Sequence, residues 1–150
     1  FSISEKKGQI LFNTEFNPSS RIKGADCFHC HGDINFTNNE YLNNGLDSVF
    51  ADKGRALVTG RVNDEGKFKV PSLRNVEVTG PYMHDGRMKT LEEVVEHYNS
   101  GIRFSSTLDP NMHTIRQGLQ LTASEKRDLV NFLKTSCKSS SSRGFTNRMS

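Results

Sequence analysis

The sequence predicts a mainly α-helical domain whose helices are joined by long loops. Helix-start signals stand at Ser2, Thr90 and Thr122, and a glutamate follows each of them three residues later. Residues 32–89 carry many glycines, prolines and asparagines and show little periodicity. Between the first helix signal and this stretch lies the pentapeptide CFHCH, at residues 27–31. These three observations together predict helices and loops arranged around a bound cofactor.

The first predicted element is an N-terminal helix. Ser2 and Glu5 have the spacing of a capping box. Ile10 and Leu11 are expected to face the interior. Gly24 ends the polar loop that follows this helix, just before the pentapeptide.

The pentapeptide is a C-x-x-C-H motif, which is the attachment signature of a c-type haem. Cys27 and Cys30 can each form a thioether with one vinyl group of the porphyrin, and His31 is then placed to ligate the iron. His29 is interpreted as a spacer within the motif. A zinc site would need a second ligand pair at finger-like spacing, and a thioredoxin-type site would need a βαβ pattern; we find neither. The fold class predicted is mainly α, a cytochrome c-like haem domain with long haem-wrapping loops and one covalent haem c.

Composition limits the class of protein. Only 33% of the 150 residues are hydrophobic and there is no tryptophan, so a buried porphyrin would supply apolar surface that a single domain otherwise lacks. The net charge of +3 is spread among mixed signs, which argues against a nucleic-acid partner, and there is no apolar run long enough for a membrane span. The chain begins with Phe1 and has no signal-peptide pattern, so we interpret it as a mature or cleaved product. Because haem c is normally attached outside the cytoplasm, we expect a periplasmic or otherwise exported location.

Residues 32–89 are predicted to form loops with short strands or turns wrapped around the haem. The punctuating residues include Gly45, Gly54, Gly60, Gly66, Pro71, Gly80, Pro81 and Gly86. So long a stretch without helices is unusual in a compact domain. A cofactor that organises the loops accounts for it.

The best-defined helix runs from Thr90 to Tyr98. Thr90 and Glu93 form a capping box, and Gly101 is placed to end the helix. The positions at i, i+3, i+4 and i+7 form one apolar face, consisting of Leu91, Val94, Val95 and Tyr98. Tyr98 is therefore expected on the inward face, and His97 is not.

A further helix is predicted to begin at Thr122, with Glu125 completing the capping box. Its inner face consists of Leu129, Val130 and Leu133. Residues 137–150 form a flexible Ser-rich tail, so the haem domain is expected to occupy residues 1–136. Cys137, the third cysteine, is interpreted as a stray thiol near the terminus.

Five runs of sequence outside the C-x-x-C-H motif resemble one known family. They are NFT at residues 35–37, DKGR at 52–55, FKVPSLRNV at 68–76, TGPYMHDGR at 79–87 and TLEEVV at 90–95. Together with the motif they resemble the C-terminal haem domain of the bacterial di-haem cytochrome c peroxidases, a family that includes the methylamine-utilisation di-haem enzymes. The resemblance covers roughly residues 5–135.

This resemblance implies electron transfer for the chain. Family members carry another, N-terminal domain with its own C-x-x-C-H, where peroxide is usually activated, and the C-terminal haem of the peroxidases takes up electrons and passes them on. A redox partner protein or a second haem domain is therefore implied. Two alternatives stay open: a peroxide-reducing haem enzyme acting alone or with a separate haem partner, and an electron-relay subunit of a larger redox assembly.

The resemblance also assigns residues around the haem. Lys69 matches a basic residue near a haem propionate, Arg74 is a candidate for the same role, and His84 is a candidate for a place near the haem or a domain interface; solvated surface charge and a structural hydrogen bond are the simpler explanations. Thr79 and Pro81 match positions whose backbone carbonyls help to bind calcium between two haems. Because a complete calcium site needs oxygens from the other domain, we do not expect it within this chain alone.

The sixth ligand of the iron, opposite His31, is the main open question. Tyr98 matches the axial position, which holds Met in the peroxidases and Tyr in the methylamine-utilisation branch, and its place on the inward helix face agrees with this. An ordinary core aromatic is the competing interpretation of Tyr98. Met112, which follows Asp109-Pro110, is the alternative ligand, and Met83 and Met88 are interpreted as packing residues beside a turn.

Overall fold

The computed structural model describes residues 1–115 and 117–136. Within them the helices are α1 (Ile3–Asn13), α2 (Phe28–His31), α3 (Ala56–Thr59), α4 (Leu91–Glu96), α5 (Pro110–Ile115) and α6 (Ala123–Ser136). Two short strands, β1 (Tyr41–Leu42) and β2 (Phe68–Lys69), pair antiparallel with Tyr41 opposite Lys69. The mainly α prediction is confirmed. Cys137 and the predicted tail at 137–150 lie outside the described residues.

Helix α1 begins with the predicted capping box. The Ser2 hydroxyl accepts a hydrogen bond from the Glu5 amide at 3.2 Å, and the Glu5 carboxylate accepts one from the Ser2 amide at 2.6 Å. Leu11 is buried as predicted, but the prediction for Ile10 is wrong, because this side chain is 65% exposed. The buried positions of α1 are Gly8, Leu11 and Phe12, and Ile10 lies outside that stripe.

Helices α1 and α6 pack directly against each other. The rings of Phe12 and Phe132 lie 5.3 Å apart, and the Asn131 amide donates to the Ser4 hydroxyl at 2.9 Å. Gly8 is at the point of closest approach, since a Cβ on it would lie 2.0 Å from the backbone oxygen of Asp128. The pair thus closes one side of the core and joins the two ends of the domain. As predicted, the side of α6 that meets the core includes the buried residues Leu129, Val130 and Leu133.

Helix α4 continues into a wider turn. Its Thr90–Glu93 capping box is present as predicted, and from His97 to Gly101 the chain forms one π-helical turn. A π turn holds more residues per turn than an α-helix, which rotates the side chains that follow. His97, the first residue of this turn, is buried at 6% exposure, and its Nε2 lies 3.1 Å from the backbone oxygen of Asn44, so the prediction that it faces away from the interior is wrong. Tyr98, next in the chain, packs against the core as predicted.

The stretch 32–89 consists largely of loops, as predicted. Its regular elements are β1, β2, α3 and the 3-10 turns Val62–Asp64 and Val76–Val78. An ion pair fastens two of the loops, since the Arg87 guanidinium donates two hydrogen bonds to the Asp47 carboxylate, each 2.8 Å long. Helix α5 was not predicted. It begins at Pro110, a residue that is favoured at the first position of a helix.

Across the described ranges, we find no helix that is both long and apolar enough to cross a membrane.

Candidate haem site

The two cysteines of the motif lie on and beside the short helix α2. Cys27 immediately precedes the helix and Cys30 lies within it, and both thiols are free and partly buried. Burial raises the pKa of Cys27 to about 12 and that of Cys30 to about 11, with the nearby carboxylates of Asp26 and Asp109 among the smaller causes. Both groups are therefore neutral thiols near pH 7, available on one helical turn for addition to a pair of vinyl groups.

His31 presents one ring nitrogen to the protein and leaves the other available. Its Nδ1 lies 2.9 Å from the backbone oxygen of Phe36. Because a carbonyl can only accept, Nδ1 carries the hydrogen and Nε2 has a free lone pair. Burial lowers the pKa of His31, against the opposing effect of the backbone carbonyls of Phe36 and Pro71. A neutral imidazole whose orientation is fixed by such a hydrogen bond is the arrangement found in metal-ligating histidines.

Tyr98 lies close to the two cysteines. Burial is the main cause that raises the pKa of its hydroxyl to about 12, and the charges of the Cys30 and Cys27 sulfurs contribute to the same rise. The hydroxyl therefore lies within electrostatic range of both sulfurs. Cys27 and Tyr98 also belong to the same group of partly buried side chains that pack against the hydrophobic core. The structure therefore brings residue 98 to the same site as residues 27 and 30, which are far from it in the sequence.

Asn44 contacts the Tyr98 hydroxyl, and Met83 contacts Asn44. Sequence analysis did not assign either residue to the site. The Asn44 amide nitrogen lies 3.4 Å from the Tyr98 oxygen and also 3.4 Å from the Met83 sulfur. Asn44 lies in the stretch 32–89, which was predicted only as loops with short strands or turns, and Met83 was interpreted as a packing residue. Met112, the alternative sixth ligand, is a buried member of the main hydrophobic core on α5.

Two of the remaining candidates, His84 and Lys69, contact residues other than those of the motif. His84 is exposed and its ring stacks on Phe68 at 3.8 Å. Lys69 is exposed and donates to the Asn39 side chain at 2.8 Å.

Arg74 lies on the side of His31. It donates to the backbone oxygen of Ile34 at 2.8 Å, and its guanidinium lies 5.7 Å from the centre of the Phe36 ring. Phe36 is the residue whose carbonyl holds His31. Of the two basic candidates, Arg74 thus has the closer connection to the motif.

A cleft of about 300 Å³ opens beside His31, between α1, α6 and the segment after the motif. Its lining residues are Phe1, Gln9, Phe12, Asn13, His31, Gly32, Phe36 and Phe132. Neither cysteine nor Tyr98 is among them. The cleft is consequently a space next to the motif rather than the whole of the haem site.

The donor set of this site fits a c-type haem. It offers two neutral thiols, an imidazole with a free Nε2, and a phenol near both thiols, all beside apolar side chains.

Among the described residues, no group of three or more His, Cys, Asp or Glu side chains is placed to hold a metal ion. Thr79 and Pro81 lie on the loop after the second 3-10 turn, where only backbone carbonyls could contribute to a calcium site.

Comparison with known proteins points to one group. The chain is 31% identical over 134 residues to the methylamine utilization protein MauG of Methylophilus methylotrophus, a match that covers 89% of this chain and 37% of MauG. It is 35% identical over 129 residues to cytochrome c551 peroxidase of Nitrosomonas europaea, covering 83% of this chain and 34% of that protein.

A solved structure gives the same result. A MauG-like protein associated with microbial copper homeostasis superposes with a TM-score of 0.79 at 31% sequence identity, over 94% of this chain and 45% of that one. The chain therefore spans less than half the length of these relatives. No protein-family model matches the sequence.

Proposed function

Because the chain is homologous to MauG and the bacterial cytochrome c peroxidases and corresponds to their C-terminal part, we propose that it is a c-type haem domain that transfers electrons. One haem would be bound covalently through Cys27 and Cys30, with His31 and Tyr98 as the two axial ligands. The observation that carries this proposal is that Cys27 and Tyr98 pack against the same hydrophobic core while the contact of His31 Nδ1 with the Phe36 carbonyl leaves Nε2 free.

Each residue of the site has a distinct role in this proposal. When bound, the haem supplies the one-electron chemistry. Cys27 and Cys30 hold it in a domain with a small apolar core. His31 donates through Nε2 while Phe36 fixes the orientation of its ring. Tyr98 offers a hard oxygen donor, which favours ferric over ferrous iron and so gives a low reduction potential.

The surroundings of Tyr98 favour electron transfer over peroxide reduction by this domain alone. Peroxide chemistry needs a positioned group that accepts and returns a proton. The polar contact described for the Tyr98 hydroxyl is the Asn44 amide, and the Met83 sulfur shares that amide; neither group exchanges protons near neutral pH. His97 is nearby, but its Nε2 is engaged by the backbone oxygen of Asn44 at 3.1 Å, and burial lowers the pKa of the ring, which makes the remaining nitrogen, Nδ1, a weaker proton acceptor.

Haem attachment and ligation can be tested on the complete chain, expressed with the machinery that attaches haem c. Extraction with acidified acetone should leave the haem on the polypeptide, whereas haem released into the solvent would refute the thioether bonds. Tyr98→Phe keeps the ring and deletes the ligand oxygen, so the ferric spectrum should change and the reduction potential should rise. Tyr41→Phe is a matched control that deletes a phenol oxygen from a side chain 40% exposed on β1, and we expect it to leave the ferric spectrum unchanged. A change confined to Met112→Ala would give the axial position to Met112.

Electron transfer is distinguished from catalysis by turnover. The 150-residue haem protein should reduce peroxide slowly with a reduced cytochrome as donor, and rapid turnover would support the alternative that it is a peroxidase by itself. We propose that the partner is a redox protein or a second haem domain, as in the longer relatives. Co-purification of this chain with several other redox subunits would instead favour the relay-subunit alternative. A periplasmic location belongs to the same proposal, whereas a complete calcium site is not proposed for this chain alone, because it needs oxygens from the other domain.

A further inference from the structure

We propose that Asn44 is a positioning residue that raises the reduction potential of the haem by donating a hydrogen bond to the Tyr98 oxygen. This inference rests on the proposed ligation of iron by Tyr98. It concerns a side chain in the loop after β1, well away from the motif in the sequence.

The amide of Asn44 has two N–H groups and two acceptors within reach. Its nitrogen lies 3.4 Å from the Tyr98 oxygen and 3.4 Å from the Met83 sulfur. A thioether has no hydrogen to donate, so the nitrogen of the amide, and not its oxygen, must face Met83. That requirement sets the orientation of the amide and points its second N–H at Tyr98.

Asn44 is held in place from its backbone as well. Its carbonyl oxygen accepts a hydrogen bond from Nε2 of His97 at 3.1 Å, and His97 precedes Tyr98 in the π-helical turn. The buried ring of His97 therefore ties the loop of Asn44 to the turn that carries Tyr98. A side chain anchored in this way loses little conformational freedom when it makes its contact.

Met83 is fixed on the opposite side. Its backbone has a φ of 69°, a left-handed conformation that is rare and costly for a long side chain. The loop that contains it is fastened to the loop of Asn44 by the paired hydrogen bonds from Arg87 to Asp47. The two acceptors of the amide, the Tyr98 oxygen and the Met83 sulfur, therefore belong to segments that are each tied to the loop of Asn44 by a contact of their own.

The effect on potential follows from the charge on the ligand. A phenolate donates electron density to ferric iron, and a hydrogen bond to its oxygen withdraws part of that density. The bond therefore weakens the preference for the ferric state. When the hydrogen-bond donor is removed, the Tyr98 oxygen becomes a stronger ligand. The ferric state is then stabilised further relative to the ferrous state.

The experiment uses the complete haem protein and replaces Asn44 by Leu, which has a similar shape but no N–H group. We expect the ratio of ferric to ferrous protein at a fixed electrode potential to rise about tenfold, which corresponds to a midpoint lowered by about 59 mV for one electron. The charge-transfer band from phenolate to ferric iron should move to longer wavelength, because the phenolate lone pair lies at higher energy without its donor. Asn44→Ala also removes both N–H donors and adds no charge, and it should lower the midpoint too, so a misfolded Asn44→Leu protein does not end the test.

A double-mutant cycle separates this role from a structural one. In a Tyr98→Phe background, Asn44→Leu should no longer shift the potential, because the acceptor of the bond is gone. An equal shift in both backgrounds would overturn the inference, since Asn44 would then act without Tyr98. If Tyr98→Phe changes the ferric spectrum while Asn44→Leu leaves the midpoint where it was, the ligand assignment stands and the role of Asn44 is refuted. An unchanged spectrum in Tyr98→Phe would overturn the ligation itself.

Discussion

Replacing Gly8 by Ala should destabilise the domain, although the substitution favours the helix that contains it. Gly8 lies in the middle of α1, where alanine is better than glycine by about 1 kcal/mol in helix propensity. On that ground alone the variant would be more stable. The structure predicts the opposite sign, because Gly8 is where α1 comes closest to α6.

The size of the effect follows from the distances. A Cβ at residue 8 would lie 2.0 Å from the backbone oxygen of Asp128 and 2.8 Å from the Cβ of Phe132, whereas real Cβ atoms essentially never come within 3.0 Å. The obstacle at Asp128 is backbone, so a change of rotamer cannot relieve it and the helices must separate. Overpacking of this kind costs about 3 kcal/mol at the upper end of the usual range. After the gain in propensity, we expect a net loss of about 2 kcal/mol.

Denaturant unfolding of the haem protein measures this loss, and in a thermal scan it corresponds to a midpoint lowered by about 4–8 °C. Lys7→Ala is the matched control. Its side chain is exposed on the same helix, so we expect a change of no more than about 0.5 kcal/mol. A Gly8→Ala protein as stable as the unsubstituted chain, or more stable, would contradict the close approach of the two helices.

Two further predictions concern ionisable groups. Hydrogen bonding to Lys126 is the main cause that lowers the pKa of Glu96 to about 2, so its stabilising contribution is present above pH 4.5 and is lost as the pH falls towards 2. Because this carboxylate is 47% exposed, Glu96→Gln should cost at most about 1 kcal/mol at pH 7 and only a small part of that at pH 2, where the carboxylate is half protonated, as measured by urea unfolding at both values. In the haem-free chain, burial keeps Cys27 and Cys30 protonated, so alkylation should be slow at pH 8 and accelerate towards pH 11. In urea the same acceleration should come near pH 9; equal rates in the folded and unfolded chain at pH 8 would refute the burial of the thiols.

Features that depend only on residues close together in the chain could be predicted from the sequence. The capping boxes at Ser2 and Thr90 depend on contacts within four residues, and the structure has both. The haem motif is equally local, since its cysteines and histidine occupy five consecutive positions. The loops were predicted correctly from stretches rich in glycine and asparagine, because these residues favour turn conformations of their own backbone.

Features that depend on tertiary contacts could not be predicted. The burial of His97 involves its contact with the loop of Asn44, 53 residues earlier, which a helical pattern within one segment does not describe. The exposure of Ile10 depends on where α6 lies. Asn44 reaches the site because its loop is tied to the π turn and to the loop of Met83, and nothing within its own segment signals those contacts.

The two proposed axial ligands are held by different kinds of contact, and this difference explains why one is easy to recognise in the sequence. His31 is oriented by a carbonyl only five residues away, so the motif and its surroundings carry nearly all the information for that side of the haem. Tyr98 depends on the π turn, which Glu96 anchors to α6 through Lys126, and on the distant amide of Asn44. A ligand supported by long-range packing can be exchanged for another without disturbing the attachment motif. The side of Tyr98 is therefore where a domain of this type can adjust its potential while the haem stays covalently bound.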